Sequence, residues 1–454
     1  MKEEYVVLLN ATLHLLLFLW CLKRYSIKNV STVISAFFVL SSAASLGLFY
    51  SPLYNATFTA GGTATLPAAL LQFSITCFWV LAFANCDFTR IKKVSFYNAQ
   101  IINTFEKILT VAFLITVIIS LPKTAGMFFS GHDLGEMRED SYGANLVSFT
   151  GLSAILYYNI MDYLGSSVVL LLCIPVIKNF LFQENDKWDK LALWVYGLSK
   201  LNIMFSVISR ATMVFSLIEV IFCCILFLKF IPLKTKKRLV VLSCVILPLF
   251  VIAMSAITSA RFSDGDKIRD NFNTFRYVGE SQLNFMTLLY PDLKEPFWGY
   301  TTFPLYRKMI FLDYETGKNR DGSGVFNTAV QKKFHYNNPT YIFHGFPGTL
   351  VFNFGRIGGL IAAFVIFLLV RKANSNKYQK SFMSIVCTIY FSSQAAKSIF
   401  FTDMFGMSGN WFFIVLLFLY IILNNNGYTK IIKKHDKETS YSNSSATVLS
   451  ISRK

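Results

Sequence analysis

Arg261, Arg269 and Arg276 stand eight and seven residues apart in the stretch SARFSDGDKIRDNFNTFRYVGESQLNF. On a continuous helix that spacing puts three guanidinium groups on roughly one face. A guanidinium donates two parallel hydrogen bonds and keeps its charge at any relevant pH, so the arrangement suits a large phosphate-bearing anion. The plainer reading pairs the same arginines with Asp264, Asp266, Asp270 and Glu280 on a solvated surface. Farther along, His344 has the side chain for a general base near neutrality. Glu280 and Asp313 compete for that role, and a structural histidine is the ordinary alternative.

Other charges interrupt apolar runs, where they are costly and point to pairing or function. Arg210 lies at a turn between two such runs, with Lys200 ten residues before it and Glu219 nine after it. In an antiparallel helix pair both would lie about 15 Å from the turn, at 1.5 Å per residue. A buried Lys200–Glu219 pair is expected, with a proton or ion relay as the alternative. Arg356 falls well inside an apolar block that opens near Pro347. Either it lines a cavity, or residues 339–356 are re-entrant and the true helix begins later. Lys397, near the end of another block, is expected to snorkel.

The elements that must hold these residues are membrane spans. Of 454 residues, 54% are hydrophobic and 15% charged, where a soluble chain carries about a quarter charged. The apolar residues gather in blocks of about twenty, the length that crosses about 30 Å of hydrocarbon. The fold class expected is an all-α polytopic transmembrane bundle of about eleven helices (10–12) with one large extracytoplasmic loop. The spans fall at 5–22, 30–50, 64–86, 104–122, 160–180, 191–209, 211–230, 238–257, 347–370, 381–400 and 411–424. Connections 23–29, 87–100, 181–190, 231–237 and 371–380 carry Lys and Arg, whereas 51–63 and 401–410 carry none. The bias toward basic residues on the cytoplasmic side then puts the N-terminus outside and the C-terminus inside. Met1–Glu4 bears two acidic residues rather than a basic leader, so the first span reads as a retained helix.

The stretch 143–180 is too long for one helix, and its first half is amphipathic. An interfacial or re-entrant helix near 146–162 is expected to lead into the fifth span. Residues 1–257 would thus hold eight helices and that interfacial segment, 258–346 the large loop, 347–424 three more helices, and 425–454 a disordered basic cytoplasmic tail. The net charge of +18 sits largely in short loops and the tail, which speaks for headgroup contact rather than a nucleic-acid partner. The eight cysteines lie in or beside apolar blocks, with no zinc or disulfide spacing.

Four segments carry a resemblance: SRATMVF at 209–215, RYVGESQLNF at 276–285, GYTTFPL at 299–305 and NPTYIFHGFPGTLVFNFGRIGG at 338–359. Together with the span layout they resemble the oligosaccharide repeat unit polymerases, the Wzy-type O-antigen and capsular polysaccharide polymerases of bacteria. That family commonly opens the helix after its large loop with Asp-Phe-Gly-x-x-Gly. Here Asn353, Phe354, Gly355 and Gly358 hold those places, with Asn for Asp. The arginine–glycine RX10G spacing of some members is absent around Arg261, Arg269 and Arg276.

The resemblance implies a glycosyltransferase of the bacterial inner membrane, independent of metal and cofactor. It would pass a growing glycan from undecaprenyl pyrophosphate to a lipid-linked repeat unit at the periplasmic face. An activated leaving group asks chiefly for cations, a positioned acceptor and a base. The residues assigned are Arg210, Arg261, Arg269, Arg276, Arg356 and Arg138 to pyrophosphate, and His344 and Glu280 to catalysis. Tyr277, Trp298, Tyr300 and Tyr341 are assigned to sugar stacking. The implied partners are the lipid-linked oligosaccharide, the bilayer, a chain-length regulator and a flippase. The rival readings are an O-antigen ligase, which shares the donor, and a lipid-linked oligosaccharide flippase or transporter.

Overall fold

The computed structural model describes residues 2–51, 63–128, 151–207, 210–238, 267–290, 344–400 and 406–432, with single positions at 241, 296, 299, 302, 303 and 305. Its helices are α1 (Glu3–Tyr25), α2 (Val30–Phe49), α3 (Leu66–Leu81), α4 (Ala99–Phe128), α5 (Gly151–Asn159) and α6 (Leu170–Phe182). There follow α7 (Lys187–Val207), α8 (Arg210–Phe227), α9 (Lys267–Asn284), α10 (Gly345–Ala373), α11 (Phe382–Lys397) and α12 (Met407–Asn426). Among the described residues, six helices are long and apolar enough to cross a membrane. α3 and α8 are apolar but shorter. The chain is therefore an all-α protein of membrane character. The eighth expected span, 238–257, lies almost wholly outside the described residues, as do most of the large loop and the tail beyond 432.

Local chemistry sets the helix ends. α1 opens on Glu3 and Glu4 and closes on Lys23 and Arg24, and α10 closes on Arg371 and Lys372. Acid at the start and base at the end oppose the helix dipole. Asn29 caps α2 by accepting from the Ser31 N–H, and Ser381 caps α11 by accepting from the Ser384 N–H.

Three short strands gather the lysine-rich connections on one face. β1 (Lys93–Tyr97) pairs in parallel with β2 (Gln379–Ser381) and antiparallel with β3 (Tyr428–Ile431), giving the order β2-β1-β3. Tyr97 donates its hydroxyl to Glu184 Oε2 at 2.7 Å, and Lys430 pairs with the same carboxylate. Burial and the neighbouring Glu184 charge raise the Tyr97 phenol above its ordinary value. Lys229 donates to the Thr89 carbonyl at 2.7 Å and Asn29 to the Ala84 carbonyl at 3.2 Å. The segments after α1, α3, α6, α8, α10 and α12 thus share one end of the bundle. Lys380 on this face is buried against Asn374 Oδ1 at 3.0 Å, and burial lowers its ammonium's affinity for the proton.

The stretch 151–182 makes one passage. α5 continues through a π turn, Ile160–Leu164, and a 3-10 turn, Gly165–Val169, into α6. Tyr163 packs edge-on to Trp411 at 5.2 Å and Ser166 bonds Ser408, both at the start of α12. Glu184, just past α6, is already at the sheet. The start and end of this passage are therefore opposite ends of the bundle.

α10 is not a straight rod. Gly355 sits at φ 75° and ψ 177°, inside what is otherwise helix. A Cβ built on Gly359 would meet Val351 N at 3.0 Å and Leu350 C at 3.1 Å. Eight residues of straight helix would span about 12 Å, so the chain has folded back. A wholly buried front arm, 345–353, turns at Gly355 into a rear arm, 356–373, that ends at the sheet face. The re-entrant alternative for 339–356 is thus what the described part of that segment adopts. Alanine at Gly355 would hold a Cβ at positive φ and extended ψ, a region essentially reserved to glycine, and Gly355→Ala is expected to cost about 1–3 kcal/mol. The check is a lowered thermal midpoint of the purified protein against Gly126→Ala, whose added methyl meets nothing within 4 Å.

Candidate functional site

α9 begins inside the segment read as an aqueous loop, yet its second half is buried in the bundle. Glu280, Ser281, Gln282, Asn284 and Thr287 are all buried. The approach to α2 is close because Gly279 has no side chain: a Cβ there would lie 2.4 Å from Ser45 N. Polar groups on the neighbours receive this helix. Ser41 Oγ donates to the Val278 carbonyl at 2.8 Å, Asn10 Nδ2 to Gln282 Oε1 at 3.3 Å, and Ser281 Oγ to the Ile399 carbonyl. A polar helix enters an apolar bundle only where such partners meet it.

Two of the expected arginines are described with their side chains. Arg276 Nε pairs with Glu280 Oε2 at 3.0 Å one turn on, and Asn284 donates to the other Glu280 oxygen at 3.3 Å. Arg356 stands just beyond the α10 turn, exposed, with its guanidinium 4.3 Å over the Tyr290 ring and donating to the Tyr290 carbonyl. Gly299 N–H donates to the Asn353 carbonyl at 3.2 Å, fastening the preceding chain to the same turn. The rear arm of α10 ends at the sheet face, so Arg356, at its other end, lies about 26 Å away at 1.5 Å per residue. Arg210 opens α8, whose far end reaches the sheet through Lys229. Phe275, beside Arg276, lies against Gly47 near the end of α2 remote from the sheet. Arg210, Arg276 and Arg356 therefore belong to the half of the bundle opposite the lysine-rich face.

The other candidates separate. His344, half-buried, is the residue before the front arm of α10. Gly345 N–H donates to the Phe400 carbonyl and Phe346 N–H to the Ser398 carbonyl, at 3.1 and 3.0 Å. His344 and Arg356 thus stand at opposite ends of a ten-residue arm, about 15 Å apart along its axis. Gly345 also lies against Ser281, so His344 and Glu280 occupy neighbouring backbone. Arg138, Arg261, Asp313, Trp298, Tyr300 and Tyr341 lie outside the described residues, and the side chains of Arg210, Arg269 and Tyr277 are likewise not described.

A charge cluster lies between α7, α8 and α11. Lys200 Nζ is 3.1 Å from Glu219 Oε2, and the Tyr196 hydroxyl donates to that oxygen at 2.6 Å. The pair expected from antiparallel counting is present. Lys397 departs from expectation: it is 2% exposed and pairs with the other Glu219 oxygen instead of snorkelling. Its neighbours explain the difference. Ser398, which ends α11, is held by the Phe346 N–H and by Trp79, whose indole donates to its hydroxyl at 3.1 Å, so Lys397 faces inward. Glu106, Lys178 and Asp189 form a second buried cluster that sequence reading passed over. Its signal was available, since Glu106 and Lys178 both interrupt apolar runs. Among the described residues no group of three or more His, Cys, Asp or Glu side chains gathers where a metal ion would sit.

No protein-family model matches the chain, and neither the curated proteins nor the solved structures contain a detectable match.

Proposed function

We propose that the chain is a polysaccharide polymerase of the bacterial inner membrane, working on undecaprenyl-pyrophosphate-linked oligosaccharide at the face opposite the sheet. The observation that carries the reading is Arg356. It stands exposed at the turn of a re-entrant arm, braced by Tyr290, on the same half of the bundle as Arg210 and Arg276. An acceptor hydroxyl of the lipid-linked repeat unit attacks C1 of the donor glycan. The C1–oxygen bond to pyrophosphate breaks, the hydroxyl proton passes to a base, and undecaprenyl pyrophosphate leaves. Guanidinium groups stabilise the pyrophosphate charge as it develops. Glu280, held by Arg276, and His344, on adjacent backbone, are the bases proposed. The loop aromatics Tyr277, Trp298, Tyr300 and Tyr341 stack on sugars, and a chain-length regulator and a flippase are the protein partners. In this reading the sheet face is cytoplasmic and the N-terminus periplasmic.

The test is the ladder of surface polysaccharide in a deletion strain complemented with each variant. Arg356→Ala and Arg276→Ala are expected to lower long-chain product by about 10²–10³-fold, as for loss of a donor to a developing anion, with protein levels unchanged in Arg356→Ala. Normal ladders from both would remove the arginine proposal. Single-repeat glycan accumulating in the deletion supports a polymerase. Bare core with polymer retained on the lipid carrier supports the ligase instead.

A further inference from the structure

Near the sheet end of the bundle, α4, α6 and α7 meet around one ammonium. Lys178 Nζ donates to Glu106 Oε2 at 2.8 Å and also to Asp189 Oδ1. The three side chains are 2%, 0% and 3% exposed for Lys178, Glu106 and Asp189. The second oxygen of Asp189 accepts from the Asp186 N–H at 2.9 Å. The second oxygen of Glu106, Oε1, is buried and has no hydrogen-bond partner among the described residues. Two carboxylates therefore share one cation, and one buried carboxylate oxygen has no hydrogen-bond partner among the described residues.

Among the described residues no neighbouring charge corrects this. Lys107, next to Glu106 on α4, turns its ammonium onto the Trp188 ring at 5.7 Å. Glu184 and Lys430 neutralise each other at the sheet, with Tyr97 donating to Glu184. Asp186, Lys187 and Lys190 on the α6–α7 side are exposed to solvent. An unpaired buried carboxylate costs several kcal/mol, far more than a neutral carboxyl with an unpaired hydroxyl. A metal ion is a poor remedy, because the Lys178 ammonium already occupies the space between the two acids.

We propose that Glu106 is a proton-binding site: its Oε1 carries a proton at neutral pH, and the α4–α6–α7 contact depends on that proton. The bound proton leaves Lys178 and Asp189 as a neutral pair and removes the excess negative charge. The sign of the pH effect follows. Folded Glu106 holds a proton that the unfolded chain releases, so stability falls as pH rises through the range where only the folded state is protonated.

The experiment is infrared spectroscopy of the full chain in lipid nanodiscs, followed through a pH titration. The wild type is expected to show a protonated-carboxyl band at neutral pH that is absent from Glu106→Gln. Asp189→Asn should also remove it, because Lys178 then serves Glu106 alone and the carboxylate ionises. Glu184→Gln should leave it intact. In parallel melts, the unfolding constant of the wild type should rise by up to tenfold per pH unit from about pH 4.3, the ordinary glutamate value, for as long as the carboxyl band persists, and that of Glu106→Gln should not. A wild-type spectrum whose neutral-pH carboxyl band survives in Glu106→Gln, or that has no such band, overturns the proposal. So does a melting temperature that depends on Na⁺ at fixed pH when choline replaces it, since the missing charge would then be a metal ion. The readout is independent of glycan synthesis, so its failure and that of the polymerase reading are separable.

Discussion

Glu219→Gln is expected to lower stability by about 3–5 kcal/mol, the cost of stranding a buried charge by removing its partner. Here two partners are stranded. Lys200 and Lys397 both rest on this one carboxylate, and Tyr196 donates to it as well. Glutamine keeps the shape and removes the carboxylate charge on which both ammonium groups rest. The contrasting variant is Lys397→Met, which removes the extra cation and leaves Lys200 and Glu219 as a one-to-one pair. Glu219 keeps Lys200 as its counter-charge and Met fills a similar volume without needing to be desolvated as an ion, so Lys397→Met should keep most of the stability that Glu219→Gln loses. Combining the two changes should recover part of the Glu219→Gln loss. Thermal unfolding in one detergent, with all three variants side by side, decides it. If Glu219→Gln melts with the wild type, the carboxylate is not the group that neutralises these lysines.

The Lys200–Glu219 pair shows how far residue counting reaches. Two helices joined by a tight turn are antiparallel, so equal distances from the turn mean equal depth, and no tertiary knowledge was needed. Lys397 lies 178 positions from Glu219 in the chain. Its approach depends on α11 packing against α8, which periodicity does not encode. The same limit governs α9. Its charge and amide content read as a solvated loop, and that reading holds for the composition of the segment. What buries the helix is a set of matching groups on α1, α2 and α3, namely Asn10, Ser41 and Gln72, each unremarkable in its own run. The re-entrant arm was half legible. Arg356 placed too deep in an apolar block demanded an exposed end nearby, and the break fell at Gly355, next to it. Its direction was not legible, so the sequence did not show that His344 opens an arm whose residues 345–353 are all buried. For Arg261 and Arg138, in segments outside the described residues, the sequence remains the basis of the assignment.

Gly279→Ala should be a severely damaging small change. The added Cβ would lie 2.4 Å from Ser45 N, 2.5 Å from Ala44 C and 2.7 Å from Ser45 Cα. All three atoms are backbone within α2, which cannot rotate aside as a side chain would. The helices must separate by about 1 Å to reach ordinary contact, and overpacking of this kind costs about 1–3 kcal/mol. Separation also lengthens the Ser41–Val278 and Asn10–Gln282 bonds that hold the buried polar face of α9. The functional loss should exceed the loss of stability. Under the proposed function Arg276 and Glu280, both within three residues of Gly279, serve the reaction, and a displacement of about 1 Å at such a group costs on the order of 10²-fold in rate. Gly197→Ala is the matched control, since its methyl meets nothing within 4 Å and α7 is helical there. Alanine is favoured over glycine in a helix by up to about 1 kcal/mol, so that variant should be as stable as the wild type or more so, with a normal ladder. A Gly279→Ala protein with wild-type melting and wild-type polymer length would mean that α9 does not press on α2 at this point. The buried placement of Glu280 would then have to be abandoned with it.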